Sequence, residues 1–246
     1  MTIASAPPSS SSRIAALVPA YQAAAHLGEV LTRIQRAAPE LSVLVVDDGS
    51  RDATAEVARM FGARVHSFAG NRGKGFALLA GFELLREHDG IVTLDADGQH
   101  PPECIPAFVQ AFEAGADLVL GARARTPDMP AGRRWANAVS SGWATAMAGQ
   151  RISDSQSGYR LYGRRVLDGT PITPGRYEVE TEVAVRAARL GFRLAEVEIP
   201  TVYGVEKSQI RLFSDVPRIG GTLLRLALEG IVPPAAMRAA RARSGP

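Results

Sequence analysis

The chain of 246 residues contains one cysteine, Cys104, which excludes an internal disulfide and fits a reducing compartment. Cytoplasm is the expected location. No run reaches about 18 uninterrupted apolar residues, the length at which a helix crosses a bilayer. The best late stretch, IGGTLLRLALEGIVPP, is broken by Arg225 and Glu229, so no segment is expected to span a membrane. The opening MTIASAPPSSSS lacks the basic start and apolar run of a secretory signal, so export is not expected. Rich in Ser and Pro, residues 1–12 are expected to form a disordered tail. Zinc-finger spacing, a basic helix with heptads and an aromatic-rich RNA-binding signature are all missing, so nucleic acid is not an expected partner.

Apolar content, by contrast, is 46%, ample for a sizeable core in one large domain. The net charge is only +3, yet eight arginines fall between Gly121 and Arg165 against Asp128 and Asp154. Arg238, Arg241 and Arg243 follow with no acid after Glu229. Such patches attract phosphates or anionic lipid, although a solvated surface has the same composition.

Short apolar runs alternate with helical patterns through the first half. RIAALVPAY, LSVLVVDD, ARVHSFA, GIVTLDAD and ADLVLGAR read as strands, and the segments between them as amphipathic helices. The first helix places Leu27, Val30, Leu31 and Ile34 on one face. This alternation predicts an α/β fold with a mostly parallel sheet, whose ligands gather outside the carboxyl ends of the strands. Three strands end there in Pro19-Ala20-Tyr21, in Asp47-Asp48-Gly49 and in Asp95-Ala96-Asp97. Parallel strands bring these ends to one edge.

In IVTLDADGQHPP, Asp95 and Asp97 are two apart, so in an extended chain they face the same way and can reach one ion. Oxygen ligands favour Mg²⁺ or Mn²⁺, with Gln99 as a further oxygen. A polar turn after a strand has the same residues. In VVDDGSRDAT, Asp52 suits a helix cap, while Asp47 and Asp48 come too early for one and can accept hydrogen bonds from a nucleobase or ribose. Lys74, between Gly73 and Gly75 at a helix start, suits a diphosphate, although neither GxGxxG nor GxxxxGK[ST] is present. Glu178, Glu180 and Glu182 share a face if extended and scatter if helical. His100 follows Gln99 and either touches a donor or caps the Pro101-Pro102 turn. His26, His66 and His88 lack metal-ligand spacing, and Trp135 and Trp143 suit packing on one helix face.

The ordered set VPAYQ, VVDDGSRDAT, NRGKGFAL, TLDADGQHPP, DSQSGYRLY and YEVETEV resembles the family 2 glycosyltransferases, in particular the dolichyl-phosphate mannosyltransferase and polyprenyl-phosphate glycosyltransferase branch. The resemblance runs from about Ala15 to Arg218. It implies a type A glycosyltransferase (GT-A) fold, a UDP- or GDP-hexose donor and an inverting, metal-dependent transfer to a polyprenyl phosphate. By position, Pro19, Ala20, Tyr21, Asp47, Asp48 and Gly49 would hold the nucleoside, with Lys74 and Gly75 beside it. Asp95, Ala96 and Lys207 would also contact the donor. Asp95, Asp97 and Gln99 would be the ligands of Mg²⁺ or Mn²⁺. Asp97, Arg123, Arg134, Asp154 and Glu182 would form the catalytic set, with Asn137 beside Arg134 and with Arg160 part of the DSQSGYR signature.

A physical argument also supports a phosphate acceptor: a phosphate monoester has a second pKa near 6 and is a nucleophile at neutral pH without a general base. Should a base be needed, Asp154, Glu180 and Glu182 are the candidates. The catalytic domain is expected over residues 13–212. A helical segment over 213–246 would lie on the inner face of a membrane or pack on the sheet or a second subunit. A soluble or polysaccharide acceptor and a non-catalytic nucleotide-sugar-binding protein are the alternatives.

Overall fold

In the computed structural model, residues 13–123, 131–172 and 179–200 are described, with the side chains of 131–138 left aside. The tail over 1–12, the segment over 213–246, Glu178 and Lys207 lie outside the described residues. Strands β1 (Ile14–Ala20), β2 (Ser42–Asp47), β3 (Arg64–Ser67) and β4 (Gly90–Thr93) alternate with helices α1 (Ala24–Ala37), α2 (Thr54–Met60) and α3 (Lys74–Leu84). A 3₁₀ turn, Pro102–Cys104, leads into α4 (Ile105–Glu113) and β5 (Leu118–Arg123). Then come α5 (Ala131–Ala148), β6 (Arg160–Gly163), α6 (Arg164–Gly169), α7 (Val179–Arg189) and β7 (Leu194–Ile199).

The strands form one sheet in the order β3-β2-β1-β4-β6-β5-β7. Because successive strand side chains point to opposite faces, the sheet divides its apolar residues between two cores. Leu17, Leu44, Val46, Ile91 and Leu120 pack with residues of α3, α5 and α7. Val18, Val45, Val92 and Val119 pack with α1, α2 and α4. Every residue of the central β1 is buried, as a strand covered on both sides requires. From α1, Leu27, Val30, Leu31 and Ile34 enter the second core, the face predicted by the helical period.

One edge collects the chemistry. β1 runs parallel to β2 and β4, so Ala20, Asp47 and Thr93 finish at the same rim. There the Asp48 N–H donates to the Ala20 carbonyl at 2.8 Å and the Leu94 N–H to the Leu17 carbonyl at 3.2 Å. β6 is antiparallel to both β4 and β5, with Arg160 opposite Thr93 and Leu120. Its reversal means that the segment entering β6, Asp154 to Tyr159, arrives at the rim where the parallel strands leave. The first turn of α7 reaches the same place. Since α7 begins at Val179, Glu180 and Glu182 do not alternate along an extended chain; they stand about 200° apart around a helix.

Candidate active site

Asp95 follows β4 by two residues, and Lys74 is the first residue of α3. The Lys74 ammonium lies 2.6 Å from Asp95 Oδ1 and 2.9 Å from Glu180 Oε1. Gly158 closes over this group: a Cβ there would stand 2.5 Å from Lys74 Nζ and 3.2 Å from each Asp95 carboxylate oxygen. The loop is fastened from below by Thr93, whose hydroxyl donates to the Gly158 carbonyl at 2.7 Å. Burial opposes both charges, but the ion pairs outweigh it. Lys74 is held above its ordinary range, and Asp95 is lowered to about 2 by Lys74, with Arg123 contributing.

His100 is buried beneath Asp95, and its Nδ1 accepts the Asp95 backbone N–H at 3.1 Å. The ring is therefore the neutral tautomer with its proton on Nε2. Burial lowers its pKa against the pull of Asp95. The capping expectation does not hold, since no side chain caps the 3₁₀ turn; His100 instead supports the backbone of the acidic segment. Asp97 sits farther out, its Oδ1 accepting the Gln99 N–H at 3.0 Å. Partial desolvation and then the charge of Asp95 raise its pKa, the signature of two like charges at one rim. Among the described residues no three His, Cys, Asp or Glu side chains converge on one point as a ready-made metal cage. Two carboxylates at a rim fit a cation of the Mg²⁺ kind, which takes one or two from the protein and fills its shell with substrate phosphate and water.

On the β1–β2 side, Asp47 and Asp48 are both buried and shape the rim through the backbone. Asp48 accepts the N–H groups of Arg72 at 2.7 Å and Gly73 at 2.8 Å, bracing the loop that feeds Lys74 into α3. Asp47 Oδ1 accepts the Ser50 N–H at 3.0 Å, and Ser50 Oγ accepts that of Gln22 at 2.9 Å. Gly49 has φ +72°, and a Cβ there would meet the Gly70 backbone at 2.4 Å, so only glycine fits. Pro19 and Ala20 are buried within β1, Ala96 is buried between the two rim aspartates, and Gly75 is buried in α3, whereas Tyr21 is 42% exposed beside them. Asp52 does cap α2, but from one residue before its N-cap Ala53: Oδ1 accepts the Thr54 N–H at 3.1 Å while Oδ2 accepts the Ala24 N–H at 3.1 Å, joining α2 to α1.

On the β5–β6 side, Arg123 and Asp154 form a two-pronged pair, Nε to Oδ2 at 2.6 Å and Nη2 to Oδ1 at 3.1 Å. Asp154 Oδ1 also accepts the N–H groups of Gln156 and Ser157. Burial would raise this carboxyl, but the hydrogen bonds and charge of Arg123 hold it below the ordinary carboxylate range. Arg160 is fully buried, donating to the carbonyls of Ser155 and Ser157 at 2.8 Å each and to that of Glu180. It ties the 154–158 loop to the first turn of α7. Glu182, on the other side of that turn, is buried in an ion pair with Arg186 one helical turn on. Arg134 and Asn137 fall on the part of α5 defined by backbone alone, but Ser140 and Ser155 hydroxyls, 2.9 Å apart, tie α5 to the same loop.

Thus Asp95, Lys74, Asp97, Arg123 and Asp154 come to one rim, while Glu182 is turned toward Arg186. Glu180, weighed in the sequence only as a candidate base, holds Lys74, and Gly158 was missed. The i, i+4 spacing of Glu182 and Arg186 was a legible signal for their pairing; nothing in DSQSGYR says what its glycine abuts.

The sequence matches glycosyl transferase family 2 over residues 15–170. It is 36% identical over 205 residues to the undecaprenyl-phosphate mannosyltransferase of Micrococcus luteus, covering 77% of this chain and 84% of that one. It is 33% identical to the polyprenol monophosphomannose synthase of Mycolicibacterium smegmatis, covering 76% of each. With the dolichyl-phosphate hexose transferase of Haloferax volcanii it shares 30% identity over 88% of this chain and 94% of the other. Among solved structures, glucosyl-3-phosphoglycerate synthase from Mycobacterium tuberculosis superposes with a TM-score of 0.73 at 22% identity, covering 87% of this chain and 80% of that chain. The same fold at a TM-score of 0.73 is seen in its complex with Mg²⁺ and uridine diphosphate, at 24% identity. With the match running from the buried β1 through the Asp95 rim and the reversed β6, the chain belongs to glycosyl transferase family 2 and is a glycosyltransferase of the GT-A fold.

Proposed function

We propose that the enzyme moves a hexose, with inversion, from a nucleoside-diphosphate sugar to the phosphate of a polyprenyl phosphate. The names of its relatives support a lipid-phosphate acceptor. The observation that carries the reading is electrostatic. The three carboxylates that the sequence offers as candidate bases are each tied to a cation: Asp154 to Arg123, Glu180 to Lys74 and Glu182 to Arg186. A sugar hydroxyl would need one of them to take its proton. A phosphate monoester would not, because its second pKa near 6 leaves it nucleophilic at pH 7.

In this reading Asp48 sets the loop around the nucleoside, and Asp95, Asp97 and Gln99 hold Mg²⁺ or Mn²⁺. Bound there, the cation would offset the charge gathering on the departing diphosphate. Arg123, aimed by Asp154, meets a phosphate, as does Arg134. Pro19, Ala20, Tyr21, Gly49, Gly75 and Ala96 complete the donor side, with Lys207 contacting its phosphates. A prenyl tail places the work at a membrane surface. No helix among the described residues is long and apolar enough to cross one; in this reading the segment over 213–246 attaches the enzyme to the inner face.

The test is a screen of radiolabelled UDP- and GDP-hexoses against a membrane lipid extract with Mg²⁺ or Mn²⁺. Label should enter the organic phase, stop with chelator and resume when either cation is returned. Label that stays aqueous with every donor refutes the lipid acceptor, and turnover surviving exhaustive chelation refutes the cation.

A further inference from the structure

Lys74 occupies a position that the donor's cation would need. Its ammonium touches Asp95 at 2.6 Å and Glu180 at 2.9 Å, and the side chains of Lys74 and Glu180 are only 19% and 5% exposed. Glu180 spends one oxygen on this contact. Its other oxygen, Oε2, is buried without a hydrogen-bond partner, an arrangement that native proteins seldom keep unless a partner arrives in another state. The ammonium, for its part, is a compact charge with three donors on a flexible stem. Glu180 cannot follow it, because Arg160 donates to the Glu180 carbonyl and the Thr181 hydroxyl donates to Ser155, fixing the first turn of α7. Where one neighbour is fixed and the other is wanted by a second cation, the lysine is the part that moves.

We propose that Lys74 is an internal placeholder for the divalent cation at Asp95, and that Glu180 is the positioning residue that receives Lys74, on both of its oxygens, when metal and donor bind. The inference rests on the assignment of Asp95 to the cation in the proposed function. Without the second carboxylate, Lys74 has Asp95 as its sole anionic partner among the three groups and competes with the metal for it. Without the lysine, Asp95 is open to the metal and Glu180 ceases to matter to it.

The two ideas separate in a Mn²⁺ titration read by the electron paramagnetic resonance signal of free Mn²⁺, with UDP and then GDP present, and again without nucleotide. Glu180→Gln should weaken Mn²⁺ binding in the presence of nucleotide by tenfold or more, and Glu180→Asp should recover to within threefold of the parent. Lys74→Met should tighten nucleotide-free Mn²⁺ binding at least fivefold, and adding Glu180→Gln to it should change binding less than twofold. Thermal melts check the fold of each variant; if Glu180→Gln does not fold, the Lys74→Met result decides. Unchanged Mn²⁺ binding in Glu180→Gln, the same loss with and without Lys74, or no tightening in Lys74→Met overturns the inference while leaving the cation in place. Failure of the parent enzyme to bind Mn²⁺ with either nucleotide overturns the cation assignment and the inference together.

Discussion

Replacing Gly158 by alanine probes the rim with a single methyl group. Gly158 is not among the glycines with positive φ, so alanine meets no backbone strain and the cost is steric. The new Cβ would lie 2.5 Å from Lys74 Nζ, where ordinary contact begins at 3.4 Å, a shortfall of 0.9 Å (3.4 − 2.5). A lysine end would normally swing aside at little cost, but this one is held by Asp95 at 2.6 Å and Glu180 at 2.9 Å. Retreat by that amount carries it out of hydrogen-bond range of one carboxylate, and a hydrogen bond to a charged group contributes about 1.5–3 kcal/mol. Both Asp95 oxygens, at 3.2 Å from the Cβ, must give way as well. At about 1.4 kcal/mol per tenfold in rate, kcat/KM for sugar transfer should fall roughly 10- to 100-fold, with stability lower by about 1–3 kcal/mol from overpacking. Steady-state transfer at limiting donor and a urea melt measure the two. Gly142→Ala is the control, since a Cβ there meets nothing within 4 Å on α5; it should leave the rate alone and add about 0.5–1 kcal/mol of stability. A Gly158→Ala enzyme within twofold of the parent in kcat/KM, with an unchanged melt, would refute the placement of Lys74 and Asp95 against this loop.

Arg160→Met should take the guanidinium donor from the carbonyls of Ser157 and Glu180, while that of Ser155 keeps the Thr181 hydroxyl; at about 1 kcal/mol each, a loss of about 2 kcal/mol lowers Tm by roughly 4–8 °C in calorimetry. Arg123→Lys keeps the charge but loses the two-pronged grip on Asp154, and should reduce kcat/KM about tenfold with a smaller effect on Tm. The Asp154 carboxyl titrates below its ordinary value of 3.8 when folded, so its contribution to stability is present above that value and is lost as pH falls through the lower, folded one. Urea melts between pH 5 and 2 should therefore show a shallower acid decline for Asp154→Asn than for the parent; an identical decline would remove Asp154 from the acid-sensitive groups.

Much of the fold was legible because it depends on periodicity. The apolar spacing of Leu27, Val30, Leu31 and Ile34 fixes the buried face of α1, and the alternation of strands and helices predicts the parallel pairing that β1 to β4 show. Asp52 as a cap and Asp95 at a strand end were readable for the same local reason. The roles of His100 and Glu182 were not. A histidine after a glutamine gives no sign that its ring will turn back beneath Asp95, and alternating glutamates look alike until the start of α7 decides which faces Lys74 and which faces Arg186.

Sequence alone determined the order of strands and helices through β5 and the set of charged residues delivered near the strand ends, since each follows from interactions between residues a few positions apart. Tertiary structure decided the partners. Lys74, Asp95, Gly158 and Glu180 are far apart in the chain, and they meet because β6 reverses direction and a buried arginine fastens its entry loop to α7. Which carboxylate stays with the lysine and which is open to a metal is a matter of ångströms between such elements, and no local pattern encodes it.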